Sequence, residues 1–230
     1  MITMIKKQTE ENDYIDFIKD RRVIFVGPGS ILKNRGLGEF IDSFDIVIRT
    51  NHFPVLLKEN PDLIADYGKK CSVLYSNMHY YHCHRPLPYD IYHELGFKWL
   101  CAKIVKPVDI RAAKNIIRIR RINHLAGYIQ RVIKSDALMG SIILHDIISC
   151  LPSEFFITGI DFFLSANDNY GAYPPGYISE TIQRENALKG VGQGKGHNLQ
   201  SNAKYMINMY NQNYFKTHDF VLDKIMKVAG

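Results

Sequence analysis

The chain has 230 residues, with 29 Lys and Arg against 23 Asp and Glu and a formal net charge of +6 at pH 7. Its 46% hydrophobic and 23% charged residues are ordinary for a soluble globular protein and allow one domain with a substantial core. No apolar run reaches the length of a transmembrane helix, and the N-terminal stretch from Lys6 onward is polar with no signal-peptide core.

In chain order, Glu10 to Arg22 has apolar residues at helical spacing and predicts a first helix. The β-branched and aromatic run Val23-Ile24-Phe25-Val26 reads as a buried parallel strand, followed directly by Gly27-Pro28-Gly29-Ser30. Gly36 to Ile41 is a short helix or turn, and Asp45 to Arg49 a second strand with Asn51 just past its end. In an open α/β sheet ligands bind beyond the carboxyl ends of the strands, the edge where the glycine loop and Asn51 both fall. The loop lacks full dinucleotide-type glycine spacing, so two readings stand: a nucleotide site, or a glycine-rich turn of any α/β fold. Asn60 to Tyr67, with Pro61 near its start, predicts a helix, and Lys69 to Tyr75 leads into a third strand.

His79, His82 and His84 with Cys83 could ligate zinc, but no second half-site with ligand spacing follows; an aromatic loop at a site rim is the favoured reading. Phe97 to Ala102 is a strand. Lys103 to Lys134 holds nine Lys and Arg against the single acid Asp109, a tract that suits a solvated face, anionic lipid or an anionic substrate; no nucleic-acid motif accompanies it. Within it, Arg111 to Lys134 is mostly helical, although Ile116 to Arg120 alternates and leaves a strand open. Asp136 to Cys150 is an apolar helix and Glu154 to Thr158 a strand. Ser165 to Gly196 is polar, aromatic and glycine-rich, the composition of a lid or an irregular segment. Leu199 to Tyr210 is helical, and the tail from Phe220 either packs on the sheet or lies against anionic membrane. Alternating strands and helices imply a mostly parallel sheet covered on both faces. The four cysteines are scattered, which favours reduced, mostly buried thiols in a cytosolic protein.

Gly38 to Asn51, ending at Pro54, resembles the large sialylmotif of the animal sialyltransferases, glycosyltransferase family 29. That family's pattern is G-x-x-I-D-x-H-D-x-V-x-R-x-N-x-x-P, with Phe44 here in place of its His. The bacterial family 42 enzymes share the opening strand, the glycine loop and the R-x-N ending. The helix with Gly140, the strand and Gly159-Ile160-Asp161-Phe162 look like the small sialylmotif, with Met139 where both families place Ser or Thr and Ser135 or Ser141 as replacement hydroxyls. Gly196-His197 falls where both families have their catalytic histidine; the animal pattern H-x-x-x-x-E ends here on Asn202.

The resemblance implies a Rossmann-like α/β fold, mostly parallel with helices on both faces, a variant of the GT-A type with an inserted lid over residues 163–197. It implies a metal-independent, inverting transfer of sialic acid, or a related keto-sugar acid such as Kdo, from a CMP-activated donor to a glycan hydroxyl, with no cofactor. The resemblance makes His197 the expected general base, a task that suits a neutral imidazole at pH 7. Gly27, Pro28, Gly29, Ser30, Asn51, Gly140, Ser141, Gly159, Ile160 and Asp161 would contact the donor, the glycine loop through its backbone N–H groups. Of two lid tyrosines that serve the departing CMP in family 42, the first is Phe163 here and the second falls on Tyr170, with Tyr173 and Tyr177 as substitutes. The lack of the animal enzymes' anchor and disulfide points to a cytoplasmic, bacterial-type or viral enzyme, with peripheral membrane contact through the basic surface and oligomers open. A catalytically degenerate nucleotide-binding protein, or a transferase using another nucleotide-sugar, are the alternatives.

Overall fold

The apolar strand runs of the sequence all assemble into one sheet. The computed structural model describes residues 2–51, 53–77, 96–103, 118–162, 164 and 198–230. Its strands are β1 (Arg22–Val26), β2 (Ile46–Thr50), β3 (Val73–Ser76), β4 (Trp99–Ala102), β5 (Arg118–Arg121), β6 (Glu154–Thr158) and β7 (Lys216–Thr217). They lie in the order β5-β4-β3-β2-β1-β6-β7, and every pairing is parallel. All residues of β2, β3 and β4 are buried, as in a sheet covered on both sides, which is why each reads as a mostly apolar run.

Register sorts the side chains onto two faces. Phe25 lies opposite Ile48 and Ile157, Tyr75 opposite Thr50 and Cys101, and Cys101 opposite Arg120. The face with Tyr75, Trp99 and Arg120 is covered by α1 (Ile2–Ile18), whose Tyr14 packs edge-on against Trp99 at 5.2 Å, and by α6 (Met139–Ser149), preceded by α5 (Asn123–Ile133). The face with Arg49 and Phe156 is covered by α2 (Gly38–Asp42), α3 (Phe53–Glu59) and α4 (Ile64–Tyr67), the last after a 3₁₀ turn at Pro61–Leu63. The chain ends in α7 (Leu199–Asn211) and α8 (Asp219–Ala229), packed on each other. Val221, Ile225 and Val228 form the buried stripe of α8, so of the two readings of the tail the structure shows the packed one. Among the described residues no helix is long and apolar enough to cross a membrane. Cys71, Cys101 and Cys150 are free and buried, and Cys83 lies outside the described residues.

The segment the sequence left open, Arg118 to Arg121, is an edge strand. Its alternation has a cause: Arg118 and Arg120 point to the face covered by α1, where Asp13 and Glu11 meet them. Arg120 is buried and ion-paired to both Glu11 and Asp146 of α6. Tyr75 Oη donates to Asp146 Oδ2 at 2.6 Å, and the hydroxyls of Tyr14 and Tyr75 share a hydrogen bond of 2.7 Å. Burial raises both phenols well above their ordinary pKa and pushes the Cys101 thiol up to about 12, so these groups stay neutral around the Arg120–Asp146 pair. The helix expected over Arg111 to Lys134 is thereby confined, among the described residues, to α5. The first helix begins earlier than expected and stops at Ile18, and β7 has only two residues, too few to carry a periodic signal.

Removing one partner of a buried pair leaves the other charge uncompensated, which typically costs about 3–5 kcal/mol. Asp146→Ala is therefore expected to lower the unfolding free energy by about that amount in urea titration. Tyr75→Phe, which removes one neutral donor, should cost about 1 kcal/mol.

Candidate active site

The order of the sheet reverses beside β1, whose neighbours are β2, next in sequence, and β6, far along the chain. Ligand crevices in open α/β sheets form at such a point, beyond the carboxyl ends. Here β1 runs into Gly27 and β6 into Gly159, and the two backbones touch. Gly27 N–H donates to Thr158 O and Gly29 N–H to Gly159 O, each at 2.8 Å. A Cβ on Gly27 would collide with Gly159 O, one on Gly159 with Gly27 O, and Gly159 has a φ of 68° that side chains rarely adopt. The side chain of Ile160 lies over Gly27 and reaches toward Gly140, while Asp161, buried, stands beside Gly29.

This contact corrects one expectation. The N–H groups of Gly27 and Gly29 are spent on β6, and Pro28 has none, so these three residues do not offer backbone donors to a ligand. The glycines serve close approach between strands instead. The loop is braced from below: Tyr67 Oη donates to Gly29 O at 2.9 Å. Tyr67 is held in turn by Arg49, which is fully buried and donates to the carbonyls of Tyr67, Gly68 and Lys70 at 2.7–2.9 Å. Burial lowers the Arg49 pKa to about 10, still charged at neutral pH, and among the described residues its Nη1 meets no partner. Beyond the loop, Asp66 accepts the backbone N–H groups of Asn34, Arg35 and Gly36 at 2.7–2.8 Å, fixing the turn that leaves the edge.

Asn51 sits where β2 ends, with a φ of 50° that asparagine tolerates better than most residues. Its N–H donates to Tyr75 O at 2.8 Å, and its Oδ1 accepts from Asn77 N at 3.1 Å. Because the acceptor end is fixed by a backbone N–H, the Nδ2 end is the one left for a ligand; no described residue accepts from it.

The start of α6 brings Gly140 to the same edge, where its missing side chain leaves van der Waals room against Phe25 and Ile160. Ser141, expected as a replacement hydroxyl for the donor, is buried and donates to Asn202 Oδ1 at 2.7 Å. Ser135, the other replacement, accepts the N–H of Asn198 at 2.8 Å. Both hydroxyls are thus built into a joint between α6 and α7 rather than turned to the opening. Asn198 caps α7, its Oδ1 accepting from Ser201 N at 2.9 Å, and its own N–H ties the start of that helix to Ser135, just before α6. The sequence reading singled out neither Asn198 nor Tyr67; an Asn directly before a helical run was the available signal for the cap.

His197 and Tyr170, and with them Phe163, Tyr173, Tyr177 and the lid over 163–197, lie outside the described residues, Leu164 aside, as does the cluster from His79 to His84. Among the described residues no group of three or more His, Cys, Asp or Glu is placed to hold a metal ion. Gly159→Ala is expected to force the β1–β6 crossing apart; a strained backbone site of this kind costs about 1–3 kcal/mol before the steric clash is added. A clear loss of melting temperature in differential scanning calorimetry would show it, and an unchanged value would mean that the two backbones do not touch.

Residues 2–85 match the family model described as glycosyltransferase family 29 (sialyltransferase). The type 2 lactosamine alpha-2,3-sialyltransferase of Homo sapiens is 50% identical over 44 residues, 19% of this chain and 13% of that protein. The human CMP-N-acetylneuraminate-beta-1,4-galactoside alpha-2,3-sialyltransferase is 41% identical over 54 residues, 24% of this chain and 14% of that protein. The match thus spans only about an eighth of the length of these curated relatives. In three dimensions the likeness is broader. A mammalian sialyltransferase solved with Gal-beta-1-3GalNAc-ortho-nitrophenol superposes with a TM-score of 0.57 at 16% identity, covering 89% of this chain and 71% of the other. The sialyltransferase CstII from Campylobacter jejuni, solved with cytidine-5'-monophosphate, gives 0.52 at 15% identity over 87% and 79%. The protein therefore has the fold of the sialyltransferases, and residues 2–85 carry the sequence pattern of glycosyltransferase family 29.

Proposed function

We propose that the protein is a glycosyltransferase that moves sialic acid, or a related keto-sugar acid such as Kdo, from a CMP-activated donor to a glycan hydroxyl, with inversion and without metal or other cofactor. The observation that carries this reading is the edge itself: Asn51 presents an amide donor at the end of β2, one strand from the Gly27–Gly159 crossing. A fold of this type has been solved with cytidine-5'-monophosphate in the Campylobacter jejuni enzyme. In the proposed reaction the acceptor oxygen attacks the anomeric carbon of the donor. The bond from that carbon to the CMP phosphate oxygen breaks, CMP leaves with the electron pair, and the hydroxyl proton passes to His197. Tyr170 donates to the departing phosphate. A CMP-sugar carries one phosphodiester, less charge than a diphosphate, which removes the usual need for a divalent cation.

Calorimetry with CMP tests the site. Asn51→Asp keeps an acceptor for Asn77 N–H but replaces the amide donor with a negative charge. It is expected to weaken CMP binding by about 1–3 kcal/mol, and wild-type affinity would remove Asn51 from the site. His197→Ala should leave CMP binding and melting temperature in place while transfer from CMP-sialic acid falls about 10²–10⁴-fold. Unchanged transfer would overturn the base assignment, and CMP binding by the wild type without transfer would favour the degenerate binding protein. Transfer should also persist in excess EDTA; activity lost to chelation and restored by Mn²⁺ or Mg²⁺ would overturn the metal-free mechanism.

A further inference from the structure

Where the animal pattern ends on glutamate, this chain has Asn202, and the structure surrounds it with partners that only an amide can serve. Asn202 is wholly buried in the first turn of α7. Its Oδ1 accepts from Leu138 N at 2.9 Å and from Ser141 Oγ at 2.7 Å. Its Nδ2 donates to Asp136 O at 3.2 Å and to Asn198 O at 2.9 Å. Both amide hydrogens and both lone-pair directions are used. Three of the partners, at Asp136, Leu138 and Ser141, belong to the entry of α6, the helix that brings Gly140 to the edge; the fourth, Asn198, follows His197 directly in the chain.

We propose that Asn202 is a positioning residue that locks the chain next to His197 onto the start of α6, and that it does so as a neutral amide in place of the family's acid. The proposal rests on the reading of His197 as the base, but the joint itself stands on the bonds just given. A carboxylate at this position still accepts from Leu138 and Ser141. It has nothing to give the carbonyls of Asp136 and Asn198, which would then face a negative oxygen across about 3 Å at a fully buried position. The departure from the family pattern is therefore matched by its surroundings, and none of the four bonds of the joint uses a titratable side chain.

Asn202→Asp and Asn202→Ala in the full chain test this, read by melting temperature against pH, by backbone hydrogen exchange, by CMP calorimetry and by transfer kinetics well below each variant's melting point. In Asn202→Asp, burial raises the folded pKa of the new acid above its unfolded value. The neutral acid is then favoured in the native state, and the melting-temperature deficit should widen as pH rises from 5 to 8. The deficit of Asn202→Ala should not change with pH. In Asn202→Ala the Leu138 amide should exchange at least about tenfold faster while the amides of β1 and β2 keep their protection. For both variants kcat should fall about tenfold or more, with the Kd for CMP within about twofold, because the base is displaced and the nucleotide pocket is not. Should Asn202→Ala not fold, Ser141→Ala cuts one bond of the same joint and should lower kcat about fivefold.

A lower melting temperature with unchanged kcat would make Asn202 a core residue only and overturn the positioning role. An Asp variant as stable as wild type at every pH would overturn the requirement for an amide. If the wild type neither binds CMP nor transfers, the proposed function fails. The Leu138 exchange and the pH course of the Asp variant then still decide whether the joint exists.

Discussion

The contact between the backbones at Gly27 and Gly159 is the constraint on which the rest of the edge depends. Two strands distant in sequence must approach until the N–H groups of one loop reach the carbonyls of the other, and any side chain at the crossing would hold them apart. Once they meet, Ile160 and Asp161 are fixed over the loop, Gly140 can bring α6 close, and the carbonyl of Gly29 turns down to Tyr67. The loop is a welded corner of the scaffold, with the N–H groups of Gly27 and Gly29 already bonded across the crossing.

This changes how the large motif is understood. Its conserved-looking density resembles a ligand site, yet most of its residues hold the chain in place. Gly38 lets α2 press on the carbonyl of Ile64; Asp42 accepts the N–H groups of Lys69 and Lys70; Asp45 accepts that of Arg22; Arg49 gathers three carbonyls at the end of α4. Among the described residues of the motif, Asn51 at the end of β2 is the one whose side-chain amide has its acceptor end held by a backbone N–H and its Nδ2 bonded to no described residue. Such a motif is recognisable in sequence because several of its residues, Gly38, Asp42, Asp45 and Arg49, meet backbone groups that constrain residue type and spacing, a stricter demand than burial alone.

The central strands and their parallel arrangement were legible because burial on both faces leaves mostly apolar runs in β1 to β4 and in β6. Asn51 was legible from its place at a strand end. What was not legible depended on partners remote in sequence. Arg118 to Arg121 reads as a strand only once Glu11 and Asp13 are known to lie above it. The hydroxyls of Ser135 and Ser141 looked free for a ligand until Asn198 and Asn202, from another helix, were seen to claim them. The use of the Gly27 and Gly29 N–H groups was hidden for the same reason: local sequence shows which groups can donate, not which distant carbonyl will take the bond.

The strand order has a consequence for how the protein is made. β1 takes β2 as a neighbour early, but its other edge waits for β6, and the Arg22–Glu154 pair that aligns them is separated by 132 residues. At ribosomal rates of ~5–20 residues per second, that edge stays open for on the order of ten seconds after β1 emerges. Its sequence, Val23-Ile24-Phe25-Val26, is an apolar stretch of the kind that pairs with other chains when left uncovered. The nascent protein thus passes through a stage in which one edge of β1 is open to other chains, and the long-range pairing that builds the corner is also what ends that exposure.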